Sequence, residues 1–144
     1  MKENKIKFAV VGCGHIGKRH AEMVTRDQDA ELVALCDIRP REELGIEGYE
    51  VPFFAGLQEL LQSGIQIDVI NICTPNGLHA SMAVQAIEAG CNVVIEKPMA
   101  LTLADAEKVV YAFHIFVPDS SRITKTTHSS VNEIEVHKAG IFKR

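Results

Sequence analysis

Lys7-Phe-Ala-Val-Val-Gly-Cys-Gly-His-Ile-Gly17 is an apolar, β-rich run that breaks into three glycines and resumes with apolar residues at helical spacing. It predicts a strand over residues 6–11 and a helix over 15–25, in which Ile16, His20, Met23 and Val24 recur on one side. A strand, a Gly-x-Gly-x-x-Gly turn and a helix, with an acid about twenty residues further on, form the phosphate-binding unit of a dinucleotide site. Asp37 supplies that acid. Gly12 turns the chain out of the strand, Gly14 lets a pyrophosphate approach the main chain, and Gly17 lets the helix lie close on the sheet. The helix that begins at His15 and Ile16 then offers unpaired N–H groups and the positive end of its dipole. Gly12, Cys13, Gly14, His15, Ile16 and Gly17 are therefore candidate cofactor-binding residues. The plainer alternative, a simple strand-to-helix turn, does not require glycine at all three positions.

Outward from this unit the pattern alternates. Residues 31–36 read as a second strand ending on Asp37, whose carboxylate at the carboxyl edge of a sheet can accept both adenosine ribose hydroxyls and would repel a 2′-phosphate. That favours NAD, with NADP as the alternative, because Arg39 and Arg41 could pair with a phosphate. Asp37 could also simply start the turn toward Pro40. A polar connection over 39–50 leads to a short strand over 51–54 and a helix carrying Leu57, Leu60 and Leu61, which Gly64 can end.

Residues 68–73 form a nearly all-apolar strand, as expected when both faces are covered, and stop at Thr74-Pro75-Asn76. Asn76 suits a helix N-cap, ahead of Ala80, Ala83, Val84 and Ile87. A strand over 92–95 ends in Glu96-Lys97-Pro98, and Thr102 and Asp105 stand in capping-box spacing before Leu103, Ala106, Val109, Val110 and Phe113. Strict strand–helix alternation predicts an α/β fold with a doubly wound parallel sheet. Near Ala112 the pattern changes. Ile115 to Val117 reads as a sixth strand, which places the domain at 1–118, and 119–144 reads as an irregular tail.

Composition narrows the function classes. With 144 residues the chain has the size of one domain, and 47% hydrophobic with 24% charged residues is the balance of a soluble globular protein. A net charge of −4 gives no electrostatic case for nucleic acid or an anionic membrane. No apolar run is long enough to span a bilayer and Met1-Lys-Glu-Asn-Lys5 is no signal-peptide core, so a cytoplasmic location is expected. Cys13, Cys36, Cys73 and Cys91 form no Cys-x-x-Cys pair, and His20 has no second histidine four positions away, so no metal site is expected. His20 reads as a packed or partly exposed helix residue.

Val11-Gly-Cys-Gly-His-Ile-Gly17 with His20, Cys36-Asp37, Thr74-Pro-Asn-Gly-Leu-His79 and Glu96-Lys-Pro98 together resemble the glucose-fructose oxidoreductase, inositol dehydrogenase and MocA (Gfo/Idh/MocA) family over about residues 5 to 112. Glu96-Lys-Pro98 after the fifth strand is the most discriminating part. Thr74 to His79 looks most like the branch acting on nucleotide-activated sugars. The resemblance implies a Rossmann fold and nicotinamide-dependent oxidation of a sugar, nucleotide-sugar or cyclitol hydroxyl. By the same resemblance Thr74, Pro75, Asn76, His79, Glu96, Lys97 and Pro98 join the cofactor site. Lys97 takes the catalytic role, because an ammonium beside the reacting hydroxyl stabilises developing alkoxide. Glu96 would orient Lys97, and Pro98 would fix the loop. Without the family, Lys97 reads as a solvated loop lysine.

Family members continue into a second α/β domain that carries an Asp-x-x-x-His pair and builds the oligomer. No pattern of that domain is read in this sequence. The resemblance thus implies a homo-oligomer whose building element this chain lacks, and an isolated chain without turnover. Glu133-Ile-Glu-Val-His137 imitates the pair's spacing but comes too soon and lacks sheet patterns around it. The encoding DNA, read in another frame beyond Ala112, is expected to recover a family-like second domain. The alternative to an enzyme is a dinucleotide-binding module without chemistry.

Overall fold

The computed structural model describes residues 5–116. Its elements run β1 (Ile6–Val11), α1 (His15–Arg26), β2 (Ala30–Cys36), β3 (Phe53–Phe54), α2 (Leu57–Gln62), β4 (Val69–Ile72), α3 (His79–Glu88), β5 (Asn92–Ile95) and α4 (Leu103–Phe116). All strand pairs are parallel, and the sheet order is β3-β2-β1-β4-β5. Strand order therefore reverses between β1 and β4, and the crevice that opens there at the carboxyl edge is where doubly wound sheets bind ligands.

The period-two alternation of β1 divides the core between two faces. Ala9 and Val11 pack with α2, α3 and α4 through Leu57, Leu60, Ala83, Ala86, Ile87, Val109 and Phe113. Phe8 and Val10 face the other way, toward Val24 and Ala21 of α1 and toward Leu44 and Ile46 of the long connection. A strand buried on both faces must be apolar throughout, which is why residues 8–11 carry no polar side chain.

Several sequence expectations shift for local reasons. β3 is two residues long because Pro52 has no N–H for the ladder, although its carbonyl accepts from Leu35 N. Asn76 does not cap a helix: Pro75 initiates a short 3₁₀ turn over Asn76–Leu78, and α3 starts at His79 without a side-chain cap. Ala86, outside the expected stripe, is fully buried in α3. The expected sixth strand is corrected. Ile115 and Phe116 form the last turn of α4, since no turn residue interrupts the helix after Phe113 and each further helical residue adds a hydrogen bond at low cost. Thr102 does cap α4, its hydroxyl accepting from Asp105 N at 3.1 Å. Leu103 lies on the open side of that helix, 76% exposed. The tail and the Glu133–His137 spacing lie outside the described residues.

Candidate active site

The glycine turn is built by contacts that exclude side chains at two positions and leave a third open. Gly12 has φ +90°, and a Cβ there would lie 2.6 Å from the Cys73 carbonyl carbon and oxygen. The ends of β1 and β4 thus meet main chain to main chain. At Gly17 a Cβ would stand 1.7 Å from Gly12 O, so α1 rests directly on the turn it follows. At Gly14 a Cβ would find nothing within 4 Å among the described residues. Gly14 is also the residue before α1, where no side chain caps the helix and no acid stands in its first turn. Open space above an uncapped helix N-terminus is what a pyrophosphate needs.

Asp37 fixes this turn from the end of β2. Its carboxylate is buried, with Oδ2 accepting from Cys13 N at 2.8 Å and Oδ1 from Arg39 N at 2.9 Å. Arg39 Nε lies 3.6 Å from Oδ1. Arg41 is committed elsewhere, its guanidinium donating to the Val51 and Tyr49 carbonyls. Of the two arginines that could greet a 2′-phosphate, only Arg39 stands beside Asp37.

The far side of the crevice is assembled by two histidines. His79, 1% exposed at the start of α3, places Nδ1 2.8 Å from Pro98 O and Nε2 2.6 Å from Thr74 O. It thereby ties the loop after β4 to the loop after β5. His20 reaches from α1, with Nε2 2.6 Å from Glu96 Oε1 and Nδ1 3.0 Å from Asn71 Nδ2. The Lys97–Pro98 peptide is cis, Glu96 is half-buried and Lys97 is exposed. Thr74 donates its hydroxyl to Met82 Sδ, while Pro75 and Asn76 are exposed at the rim, as are His15 and Ile16 at the start of α1.

Three thiols lie beneath the turn. Burial pushes Cys13 up to about 11, and its thiol donates to Cys36 O at 3.5 Å. Burial, followed by the neighbouring Cys13, pushes Cys36 up to about 12. Cys73 reaches about 12 by burial and then by the carboxylate of Glu96. Such thiols are protonated at neutral pH and act as small apolar packing groups.

The residues singled out from the sequence thus gather at one edge of the sheet, in the turns after β1, β2, β4 and β5. Asn71 is not among the residues the sequence singles out. It is a buried amide in the otherwise apolar run Val69-Ile-Asn-Ile72, and that interruption was the available signal. His20 is a partly exposed residue of α1, in line with the sequence reading; its partnership with Glu96 links positions 76 apart and has no local signature.

A family model described as "Oxidoreductase family, NAD-binding Rossmann fold" matches residues 6–114. The whole chain aligns at 29% identity with D-glucoside 3-dehydrogenase of Escherichia coli K12, of which it covers 45%. Over 72% of its length it is 36% identical to inositol 2-dehydrogenase of Rhizobium meliloti, covering 30% of that protein. Among solved structures, the WlbA dehydrogenase of Bordetella pertussis in complex with NADH and UDP-GlcNAcA matches with a TM-score of 0.70 and 36% identity, over 75% of this chain and 34% of that one. GenD2 from gentamicin A biosynthesis, in complex with NAD, matches with a TM-score of 0.73 and 30% identity, over 79% of this chain and 33% of that one. The chain therefore spans less than half the length of these relatives. Among the described residues no helix is long and apolar enough to cross a membrane. With its glycine turn, its strand order and this match over residues 6–114, the chain belongs to the Gfo/Idh/MocA oxidoreductase family and carries its NAD-binding Rossmann domain.

Proposed function

We propose that this chain is the cofactor-binding part of a dehydrogenase that transfers hydride between a sugar, nucleotide-sugar or cyclitol hydroxyl and NAD. The observation that carries the reading is the open space over Gly14 at the uncapped start of α1, beside the Asp37 carboxylate that holds Cys13 N. In this reading the main-chain N–H groups of His15, Ile16 and Gly17 hold the pyrophosphate. Asp37 receives the adenosine ribose: both oxygens already accept one hydrogen bond, and each retains a lone pair for a hydroxyl. Thr74, Pro75, Asn76 and His79 form the wall beside the nicotinamide half. When bound, the nicotinamide supplies the hydride-accepting carbon. Lys97 meets the reacting hydroxyl, where its ammonium stabilises the oxygen as negative charge develops.

Asp37 carries the choice of cofactor. Calorimetric titration is expected to show tighter binding of NAD than of NADP, and Asp37→Asn, which keeps an oxygen for Cys13 N, is expected to narrow that ratio by about tenfold, the worth of a charge-assisted hydrogen bond. Equal affinities in the unaltered chain would remove Asp37 from this role, leaving Arg39 to hold a 2′-phosphate.

A second reading is a module that binds dinucleotide without turnover. Here the isolated chain is expected to bind NAD and to reduce none with myo-inositol or a UDP-sugar acid as donor. Sustained NADH formation with either donor would refute that reading and place a complete site in this chain.

A further inference from the structure

We propose that His20 and Asn71 are positioning residues for the Lys97 loop, acting through Glu96. The inference rests on the reading that Lys97 stands at the nicotinamide end of the crevice. Asn71 is 4% exposed in the middle of β4, where an amide is costly unless it is hydrogen-bonded. Its Nδ2 donates to His20 Nδ1 at 3.0 Å, while its Oδ1 is buried without a partner among the described residues. An amide donor on Nδ1 requires a lone pair there, so the imidazole carries its proton on Nε2. That proton is donated to Glu96 Oε1 at 2.6 Å.

The direction of this relay decides what Glu96 does. Its carboxylate is engaged by α1, and among the described residues Lys97 forms no ion pair. A carboxylate held by His20 is kept from capturing the neighbouring ammonium, which stays available for the reacting hydroxyl. His79 holds the Pro98 carbonyl on the other side of Lys97. The residue that meets the substrate is therefore bracketed by neighbours tied to two helices, while its own side chain stays exposed. Because α1 also begins at the phosphate turn, the relay fixes the distance between the pyrophosphate end and the nicotinamide end of the cofactor.

Two measurements on the full chain test this. The ¹⁵N resonances of the His20 imidazole are expected to report the Nε2–H tautomer, and Asn71→Asp, which places an acceptor against Nδ1, is expected to add a proton there. A His20 found mainly as the Nδ1–H tautomer would overturn the relay. Binding of NADH and of ADP-ribose, which lacks the nicotinamide, supplies the second readout. His20→Ala is expected to weaken NADH by about fivefold, the worth of one hydrogen bond, and to change ADP-ribose by less than about twofold. His20→Gln, which keeps a donor near the Nε2 position, is expected to recover part of the loss and remains informative if the alanine variant does not fold. Equal losses for both ligands would make His20 a merely structural residue and overturn the proposal, as would no loss for either. An unaltered chain that binds ADP-ribose but shows no added affinity for NADH would remove Lys97 from the nicotinamide end and the proposal with it. One that binds neither ligand would remove the cofactor reading itself.

Discussion

A Gly14→Ala variant is expected to fold as the native chain does and to bind NAD at least about tenfold more weakly, whereas Gly17→Ala is expected to lose most of its folded population. The two glycines are three residues apart in one turn, yet a methyl group meets different surroundings at each. At Gly14 the backbone is extended, with φ −71° and ψ −162°, and nothing among the described residues lies within 4 Å of the added carbon. Alanine is a poorer N-cap by about 1 kcal/mol, and the reduced freedom of the unfolded chain offsets roughly half or more of that. Thermal unfolding should therefore move little. The methyl would instead occupy the approach to the first free N–H groups of α1, each of which contributes about 1.5–3 kcal/mol when it meets a charged phosphate oxygen. At Gly17 the methyl would lie 1.7 Å from the Gly12 carbonyl oxygen, which belongs to main chain, and Gly12 itself stands against the Cys73 main chain. Relief requires α1 to lift off the sheet, at a cost beyond the roughly 1–3 kcal/mol of ordinary overpacking and large against a total stability of about 5–15 kcal/mol. Undiminished NAD affinity in Gly14→Ala would mean that the pyrophosphate does not cross this glycine. A Gly17→Ala chain with native stability would contradict the close seating of α1.

The contrast also explains which parts of the molecule could be read before the structure. Gly12 and Gly17 were legible because steric exclusion acts on the residue itself: only glycine satisfies φ +90° or so close an approach, so the requirement is written at that position. The alternation of strand and helix was legible for a similar reason, since residues 8–11 of β1, buried on both faces, admit only apolar side chains. Asn76 and Ile115 misled because local propensity competes with neighbours. Pro75 imposed a 3₁₀ turn on a good capping residue, and an established helix carried an apolar, β-branched residue past the expected boundary. The side-chain network at the crevice was hidden for a different reason. His20, Asn71 and Glu96 come from α1, β4 and the loop after β5, and nothing in the residues around each indicates that the fold brings them within 2.6 to 3.0 Å. Composition likewise gave no indication that three separated cysteines lie together under the phosphate turn.

Those cysteines carry the other large effect: the folded chain is expected to lose stability steeply as pH rises above about 9, with thiolate absorbance appearing together with unfolding. Cys13 is held near 11 and Cys36 and Cys73 near 12, each above an ordinary value of 9.0, with desolvation the leading cause in all three. Burial raises Cys91 as well. Below pH 9 the thiols are protonated in both states, and the buried neutral groups contribute their full packing. Between the ordinary and the raised values the unfolded chain releases protons that the folded chain retains, so the unfolded state binds fewer protons and stability falls with pH. Each such thiol contributes up to about 1.4 kcal/mol per pH unit in that window, so several together would remove much of a typical domain's stability within about two units. Equilibrium denaturation at stepped pH measures the slope, and Cys36→Ala, which deletes one titrating group from the cluster, should make it shallower. Thiolate appearing near pH 9 in a chain that remains folded would show instead that these groups are solvated, and would overturn the sealed floor beneath Gly12 and Gly14.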